Sequence, residues 1–271
     1  MKVYCIIGDE RAFRTRSSVM FSKVMKDAGL RATYVPFKVA PEKIGQAIQS
    51  LRVLNIAGAN VTVPYKEAVV SRMDILSEGA NIIGAVNTIV VNDDTLKGYN
   101  TNAIGIMDAL NESGFEAEGK SALIFGTGGA AMAAAFIFNW LRTGTVYIAG
   151  RRESKGRKLV DRFGGETLEL GTLADNPLPV HIVVNATSVS SDEESLQLSA
   201  LVDQLDLPDC ELVLDLNYGR DQNFWQDLAQ KKGIRFMDGL SPLAYQARRT
   251  FALWTGLQVP PEQFLAALNE S

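Results

Sequence analysis

One histidine and two cysteines in 271 residues set the first limits on what this chain can do. A histidine-built metal centre cannot be assembled from a single imidazole. Cys5 and Cys210 stand too far apart for the paired spacing of a structural zinc cluster, so no metal is expected. A Ser-His-Asp hydrolase would have to recruit His181, which sits in the apolar stretch Pro179–Val184 with no nucleophile-elbow motif, and a structural role suits it better. Basic excess is also missing, with 27 Lys and Arg against 31 Asp and Glu and a net charge of −4. Nothing in that balance neutralises a phosphate backbone, so nucleic acid is not an expected partner. The apolar runs, such as Ala130–Phe138, fall well short of the ~20 residues that cross a bilayer, and no membrane association is expected. The opening stretch MKVYCIIGDE reaches acidic residues too early for a secretory core. The expectation is a cytoplasmic chain with both thiols reduced and buried in strand-like segments.

What is present is an ordinary globular balance, 46% hydrophobic and 21% charged, in a length that suits one large domain or two modest ones. Strand and helix patterns alternate throughout. Val3–Ile7, Thr33–Phe37 and the β-branched run Asn60–Pro64 read as strands, with helices at Ser18–Ala28, Pro41–Leu54 and Tyr65–Met73. Ala85–Val91 and Thr95–Asn100 flank the turn Asn92-Asp93-Asp94 as a hairpin, and a helix follows from Asn102 to Asn111. The polar loop Asn111–Lys120 is where composition best accommodates a domain boundary. Beyond it, Ala122–Phe125, Val146–Ala149, Val180–Asn185 and Leu212–Leu216 are apolar strands separated by helical segments. Tyr245–Trp254 and Pro261–Leu268 close the chain as helices. Such alternation predicts an α/β fold with mainly parallel sheets.

Gly126-Thr127-Gly128-Gly129-Ala130 lies between a strand and an Ala-rich helix, the context that gives a glycine pattern meaning. Gly126 permits a tight turn, Gly128 lets the backbone approach a pyrophosphate, and the helix beyond offers free N–H groups and its positive dipole end. Ala131 stands at the third glycine position of the fingerprint. At the tip of the next strand come Arg151, Arg152, Lys155 and Arg157, with Glu153 late among them. Cations there suit a ribose 2′-phosphate, which arginine holds bidentately, so NADP is expected in preference to NAD.

Several motifs taken together now resemble the shikimate dehydrogenase family over nearly the whole chain: Asn60-Val61-Thr62-Val63-Pro64-Tyr65-Lys66, Gly84–Thr88, Gly98–Thr101, Gly126–Gly129, Asn185-Ala186-Thr187-Ser188 and Gly239 through Gln246-Ala247. The resemblance implies an NADP-dependent oxidoreductase that interconverts 3-dehydroshikimate and shikimate in aromatic amino acid biosynthesis (the chorismate pathway). It also implies a Rossmann-type dinucleotide domain, residues 102–239, set between the two parts of an α/β substrate domain, residues 1–101 and 240–271. The partner is then a small hydroxy acid, and the protein a monomer or homodimer. Lys66 is implied as acid/base, a role that chemistry supports, because alcohol oxidation requires a group to take the hydroxyl proton and burial can lower a lysine's pKa. Asn60, Thr62, Asn87 and Gln246 are implied to hold substrate hydroxyls, and Tyr218 to lie near the carboxylate. Gly126, Thr127, Gly128, Gly129, Ala130, Arg151, Arg152, Lys155, Thr187 and Gly239 are implied to hold the cofactor.

The chain departs from the family pattern in four places. Its Ser-x-Ser-Pro carboxylate motif aligns with Thr15-Arg16-Ser17-Ser18, so Thr15 and Ser17 are expected to contact the carboxylate; an alignment one residue shorter would put Arg14 and Arg16 there instead. Val189-Ser190 stands where a glycine is expected, and Asn217 where an apolar residue is usual. The family's Asn-Thr-Asp reads Asn100-Thr101-Asn102, which removes the carboxylate that partners the lysine. Asn102 can still accept a hydrogen bond but supplies no charge. Two readings stay open: an enzyme with a shifted substrate or rate, and a weakly or non-catalytic paralogue that binds NADP and a ligand.

Overall fold

The computed structural model describes residues 1–269. Its first apolar run closes into β1 (Lys2–Gly8), which parallel strands cover on both edges. After it come α1 (Ser17–Asp27), β2 (Ala32–Lys38), α2 (Ile44–Val53), β3 (Gly58–Val61), the two-residue β4 (Ile75–Leu76), α3 (Glu78–Ile83), β5 (Thr88–Asn92), β6 (Thr95–Tyr99) and α4 (Thr101–Glu112). The strand order is β2-β1-β3-β5-β6-β4, and β5 runs antiparallel to both of its neighbours. That reversal has a consequence for chemistry. The C-terminal ends of β1, β3 and β6 and the start of β5 share one edge, where Asn60 pairs with Thr88 and Thr88 with Tyr99.

The next segment supplies β7 (Ala122–Phe125), α5 (Gly129–Trp140), β8 (Val146–Ala149), α6 (Glu153–Phe163), β9 (Glu166–Leu168), β10 (Ile182–Asn185), α7 (Leu196–Asp203), β11 (Leu212–Asp215), α8 (Phe224–Lys232) and β12 (Arg235–Met237). Every strand pair here is parallel, in the order β12-β11-β10-β7-β8-β9. Counted from β7 this is the 3-2-1-4-5-6 order of a Rossmann sheet. The chain ends in α9 (Leu240–Thr255) and α10 (Pro261–Asn269). It divides into two compact units, Ile106–Pro242 and Met1–Gly105 together with the chain from Leu243 onward. The α/β class predicted from strand–helix alternation is the one observed. Among the described residues, no helix is long and apolar enough to cross a membrane.

Two local readings are corrected. Tyr65–Met73 is not an α-helix but a series of turns ending in a 3-10 turn at Val70–Arg72. The Lys66 carbonyl, which a helix would give to the amide of residue 70, accepts from Val86 N at 2.8 Å, and Val70 N turns to Glu67 O instead. Cys210 precedes β11 rather than lying in a strand, and is half-buried, with Sγ 3.4 Å from Leu212 O. Cys5 is fully buried, and burial pushes its thiol up to about 12. His181 accepts a hydrogen bond from Ser121 N at Nδ1, 3.1 Å, which fits a structural role.

Aromatic packing joins the C-terminal helices to the first sheet. Trp254 stacks on Tyr4 at 4.8 Å between ring centroids and lies 5.1 Å from Phe21, which also meets Phe264 at 6.2 Å. The indole N–H donates to Ile89 O at 3.0 Å. Room for that ring exists only because position 58 is glycine: a Cβ there would stand 2.2 Å from Trp254 Nε1. Gly58→Ala should therefore lower stability by about 1–3 kcal/mol through overpacking, read as an earlier urea transition. An unchanged midpoint would show that the indole yields at no cost.

Candidate active site

The shared edge of the first sheet carries a cluster of uncharged polar groups. Asn87 stands just before β5 and is buried, as are Thr101 at the start of α4 and Gln246 on α9. Asn87 Oδ1 accepts from the backbone N–H of Thr101 at 2.7 Å. Its Nδ2 donates to Asn102 Oδ1 at 2.8 Å, Thr101 Oγ1 at 2.9 Å and Gln246 Oε1 at 3.1 Å. The amide ends of Asn102 and Gln246 thus point away from Asn87, available as donors to a ligand oxygen. Asn60 braces this cluster: it accepts from Tyr34 Oη at 2.9 Å and donates to Asn87 O at 3.1 Å and Thr88 Oγ1 at 3.2 Å. With its amide hydrogens so engaged, Asn60 has only a lone pair to offer a ligand. Thr62, after β3, has no side-chain hydrogen bond to the described residues. Gly8 lies so close to it that a Cβ would stand 2.4 Å from Thr62 Cγ2.

Lys66 follows the same strand end. The bond from Val86 N to its carbonyl ties it to the segment that delivers Asn87. Desolvation pulls its ammonium down to about 8, and among the described residues no carboxylate opposes that shift. An amine so shifted is half neutral near pH 8 and can take up a proton.

After β1, Thr15 and Ser17 face one another, Oγ1 to Oγ at 2.9 Å, and Ser17 N donates to Thr15 Oγ1 at 3.2 Å. Ser17 is buried. Arg16 between them reaches the other way, its guanidinium donating to Leu268 O at 3.1 Å, and Arg14 is exposed. The loop thus brings the two hydroxyls together and holds the Arg16 guanidinium against the last helix.

In the Rossmann unit, Gly126 has φ +119°, and a Cβ on it would come within 2.8 Å of Ala186 O. Gly128 caps α5 without a side-chain bond, and a Cβ on it would meet nothing within 4 Å. Open space over unpaired N–H groups at the start of a twelve-residue helix is what a pyrophosphate requires. Beside it, a cavity of about 210 Å³ is lined in part by Gly150, Arg151, Glu153 and Gly156. Glu153 is ion-paired with Arg157, and Arg151, Arg152 and Lys155 at the strand tip have no acidic partner among the described residues. The glycine turn and this basic corner fit a phosphorylated dinucleotide.

The loops after β10, β11 and β12 complete that unit's C-terminal rim. Thr187 turns both its hydroxyl, at 2.7 Å, and its backbone N–H, at 3.0 Å, inward to Asn185 Oδ1. Asp215 is fully buried and accepts from Asn185 Nδ2 and Asn223 Nδ2 at 2.8 Å each and from Asn217 N at 2.9 Å; even so, burial pushes its carboxyl up. Tyr218 follows half-buried. Gly239 packs so tightly that a Cβ would stand 2.4 Å from Leu216 O.

Sequence reasoning passed over Tyr34, Thr88, Thr101, Thr250 and Asp215. Thr101 and Thr88 lie inside quoted motifs. Thr250, four residues after Gln246 on the same helix face, bonds Thr88 at 2.9 Å and Thr101 at 3.1 Å, a spacing that could have found it. Nothing local marks Tyr34 or Asp215.

Comparison with known proteins shows what the chain resembles as a whole. The model of the shikimate dehydrogenase substrate binding domain matches residues 6–89. A shikimate dehydrogenase (NADP(+)) of Desulforamulus reducens is 37% identical over 94% of this chain and 90% of its own length. One from Thermococcus kodakarensis is 35% identical over 95% and 92%. The crystal structure of shikimate 5-dehydrogenase from Thermus thermophilus, in complex with NADP(H) and shikimate, superposes with a TM-score of 0.86 at 29% identity, covering 100% of this chain and 99% of that one.

The depressed Lys66 pKa makes a prediction about stability. The free side chain titrates at 10.5 and the folded one at about 8. Below pH 8 both states are charged, and the folded state bears the full cost of the buried ammonium. Between 8 and 10.5 the folded state has lost its proton while the unfolded state keeps it, so that cost fades. Lys66→Met should therefore stabilise the protein most at pH 7 and progressively less toward pH 10. Urea midpoints at both pH values check this, and an equal gain at the two would mean that the amine is solvated.

Proposed function

The chain belongs to the shikimate dehydrogenase family, and from that premise we propose that it is an NADP-dependent oxidoreductase acting on shikimate or a closely related cyclic polyol acid. The observation that carries the reading is a desolvated Lys66 whose carbonyl is bonded to Val86, the neighbour of Asn87, which in turn holds the neutral amides of Asn102 and Gln246. A ring bearing several hydroxyls calls for oriented donors and acceptors rather than charges, and one basic group for the hydroxyl that is oxidised. The carboxylate of such an acid suits the paired hydroxyls of Thr15 and Ser17, both able to donate. Tyr218 is the further contact proposed there, with Thr62 and Asn60 beside the ring.

NADP, when bound, supplies the hydride acceptor or donor. The backbone of Gly126, Thr127, Gly128, Gly129 and Ala130 would hold its pyrophosphate, Arg151, Arg152 and Lys155 its 2′-phosphate, and Thr187 and Gly239 its nicotinamide end. In the oxidative direction, neutral Lys66 removes the hydroxyl proton; in the reductive direction, its ammonium returns one. Asn102 orients the reacting group through its amide but leaves Lys66 without an ionic partner. This places the chain at a step of aromatic amino acid biosynthesis, with the cytoplasm as the proposed compartment.

A second reading rests on Asn102 alone. A positioned acid–base pair is worth roughly 10²–10⁴-fold in rate, and a chain that lacks its carboxylate can be a ligand-binding paralogue with little turnover. NADP⁺ reduction at 340 nm with shikimate, quinate and aminoshikimate separates the two: turnover of any of them supports the enzyme, and tight NADP⁺ binding without turnover supports the paralogue.

Three expectations sharpen the assignment. NADP⁺ should bind at least about tenfold more tightly than NAD⁺, about 1.4 kcal/mol, with Arg151→Ala removing much of the difference; equal affinities in a fluorescence titration would defeat the NADP assignment. Ser17→Ala should raise KM strongly while Arg14→Ala leaves it nearly unchanged; the reverse pattern would move the carboxylate site by one residue. Asn102→Asp should raise the Lys66 pKa, because an opposite charge favours the ammonium, and shift upward the limb of kcat/KM against pH that lysine governs. Activity toward shikimate should rise in that variant, and Lys66→Ala should abolish it in both backgrounds. A fall with Asn102→Asp would mean that the pocket is built around the amide and that shikimate is the wrong acid.

A further inference from the structure

The strand order of the Rossmann unit divides its rim in two. β8 and β9 lie on one side of β7 and carry the basic corner at Arg151. β10, β11 and β12 lie on the other side, where the second mononucleotide half of a Rossmann fold receives the nicotinamide. Three loops leave the C-terminal ends of those strands, and one side chain touches the first two while its backbone holds the third.

Asn217, in the loop after β11, donates from Nδ2 to Thr187 O at 3.0 Å and to Ser190 Oγ at 2.9 Å, both in the loop after β10. The carbonyl of the same residue accepts from the N–H of Gly239, after β12, at 2.9 Å. Asp215 Oδ1 fixes the residue from behind, accepting from its backbone N at 2.9 Å and from its Nδ2 at 3.1 Å. Ser190 is fully buried, so its hydroxyl has no water to replace a lost partner. An apolar side chain at 217 could make none of these side-chain bonds. The two positions where sequence alone departs from the family pattern in this unit, Val189-Ser190 and Asn217, are therefore in direct contact through the Asn217–Ser190 hydrogen bond.

We propose that Asn217 is a positioning residue that clamps the loops after β10, β11 and β12 into one rim, and so sets the affinity of this protein for the nicotinamide half of its dinucleotide. The inference rests on the NADP reading above. The clamp holds the carbonyl of Thr187, and with it the loop after β10, together with the backbone leading into Tyr218. It touches neither the glycine turn nor the basic corner, so the adenosine half of the ligand should not sense it.

That difference defines the test. NADP⁺ and adenosine 2′,5′-bisphosphate, which ends before the nicotinamide, are titrated by calorimetry against the natural protein, Asn217→Val, Ser190→Ala and the double variant. Asn217→Val should weaken NADP⁺ about five- to tenfold, the range of one or two net hydrogen bonds, and leave the bisphosphate unchanged. Ser190→Ala should show a smaller loss of the same kind. The double variant should be less impaired than the product of the two single losses, because both remove one contact. Equal weakening of both ligands, no weakening of either, or fully additive losses would overturn the clamp. If Asn217→Val is too unstable to titrate, Ser190→Ala carries the same expectation on a milder change. A natural protein that binds the bisphosphate and NADP⁺ while the variants show no selective loss refutes the clamp alone. One that binds neither ligand refutes the NADP reading, and the clamp with it.

Discussion

The orientation of the Asn87, Asn102 and Gln246 amides depends on one main-chain donor, the N–H of Thr101. A backbone N–H can only donate, so the atom of Asn87 that lies 2.7 Å from it must be oxygen. The opposite face of that amide is then its NH₂, and Asn102 and Gln246 must present oxygens to it. Their own NH₂ groups consequently turn outward. A helix start has thus assigned the polarity of three side chains from three separate elements, one of them on α9, far along the chain. Because no member of this chain of bonds titrates, its donor pattern is constant over the pH range in which Lys66 changes charge.

The two units solve the problem of buried polarity by the same means. In the first, buried Asn87, Thr101 and Gln246 satisfy one another; in the second, Asp215 sits fully buried with Asn185, Asn217 and Asn223 around it. Neither site uses an ion pair. Buried ion pairs carry heavy desolvation costs and depend on good geometry, whereas carboxamide groups supply directional bonds at lower cost. The outcome is a pair of sites whose shapes are governed by hydrogen-bond direction and are little affected by ionic strength.

Much of this was legible in the sequence, for identifiable reasons. Ala122–Phe125 and Val146–Ala149 are found at their expected bounds because both are apolar, β-branched or aromatic runs bracketed by glycine or polar loops. The glycine turn is recognisable because strand, turn and helix are contiguous. What escaped is what distant residues decide. Tyr65–Met73 has helical spacing, but Val86 takes the Lys66 carbonyl and the helix is lost. β4, β9 and β12 are only two or three residues long and lie at sheet edges, too short for any periodicity to show. The partners that hold Asn60 in place, above all Tyr34, which bonds its oxygen from β2, are likewise marked by no motif.

Trp254 and Phe264, which pack on Tyr4 and Phe21, belong to the last two helices, whereas the sheet they cover is made by the first hundred residues. On the ribosome, therefore, the unit begun first is completed last. Residues 106–242 form one continuous stretch and can close while the chain is still being made, but the earlier sheet must wait with Tyr4 and Ile89 uncovered until α9 emerges. Since α9 also brings Gln246, the polar cluster and the aromatic cover arrive together. A nascent chain cannot complete this polar cluster before α9 has been made.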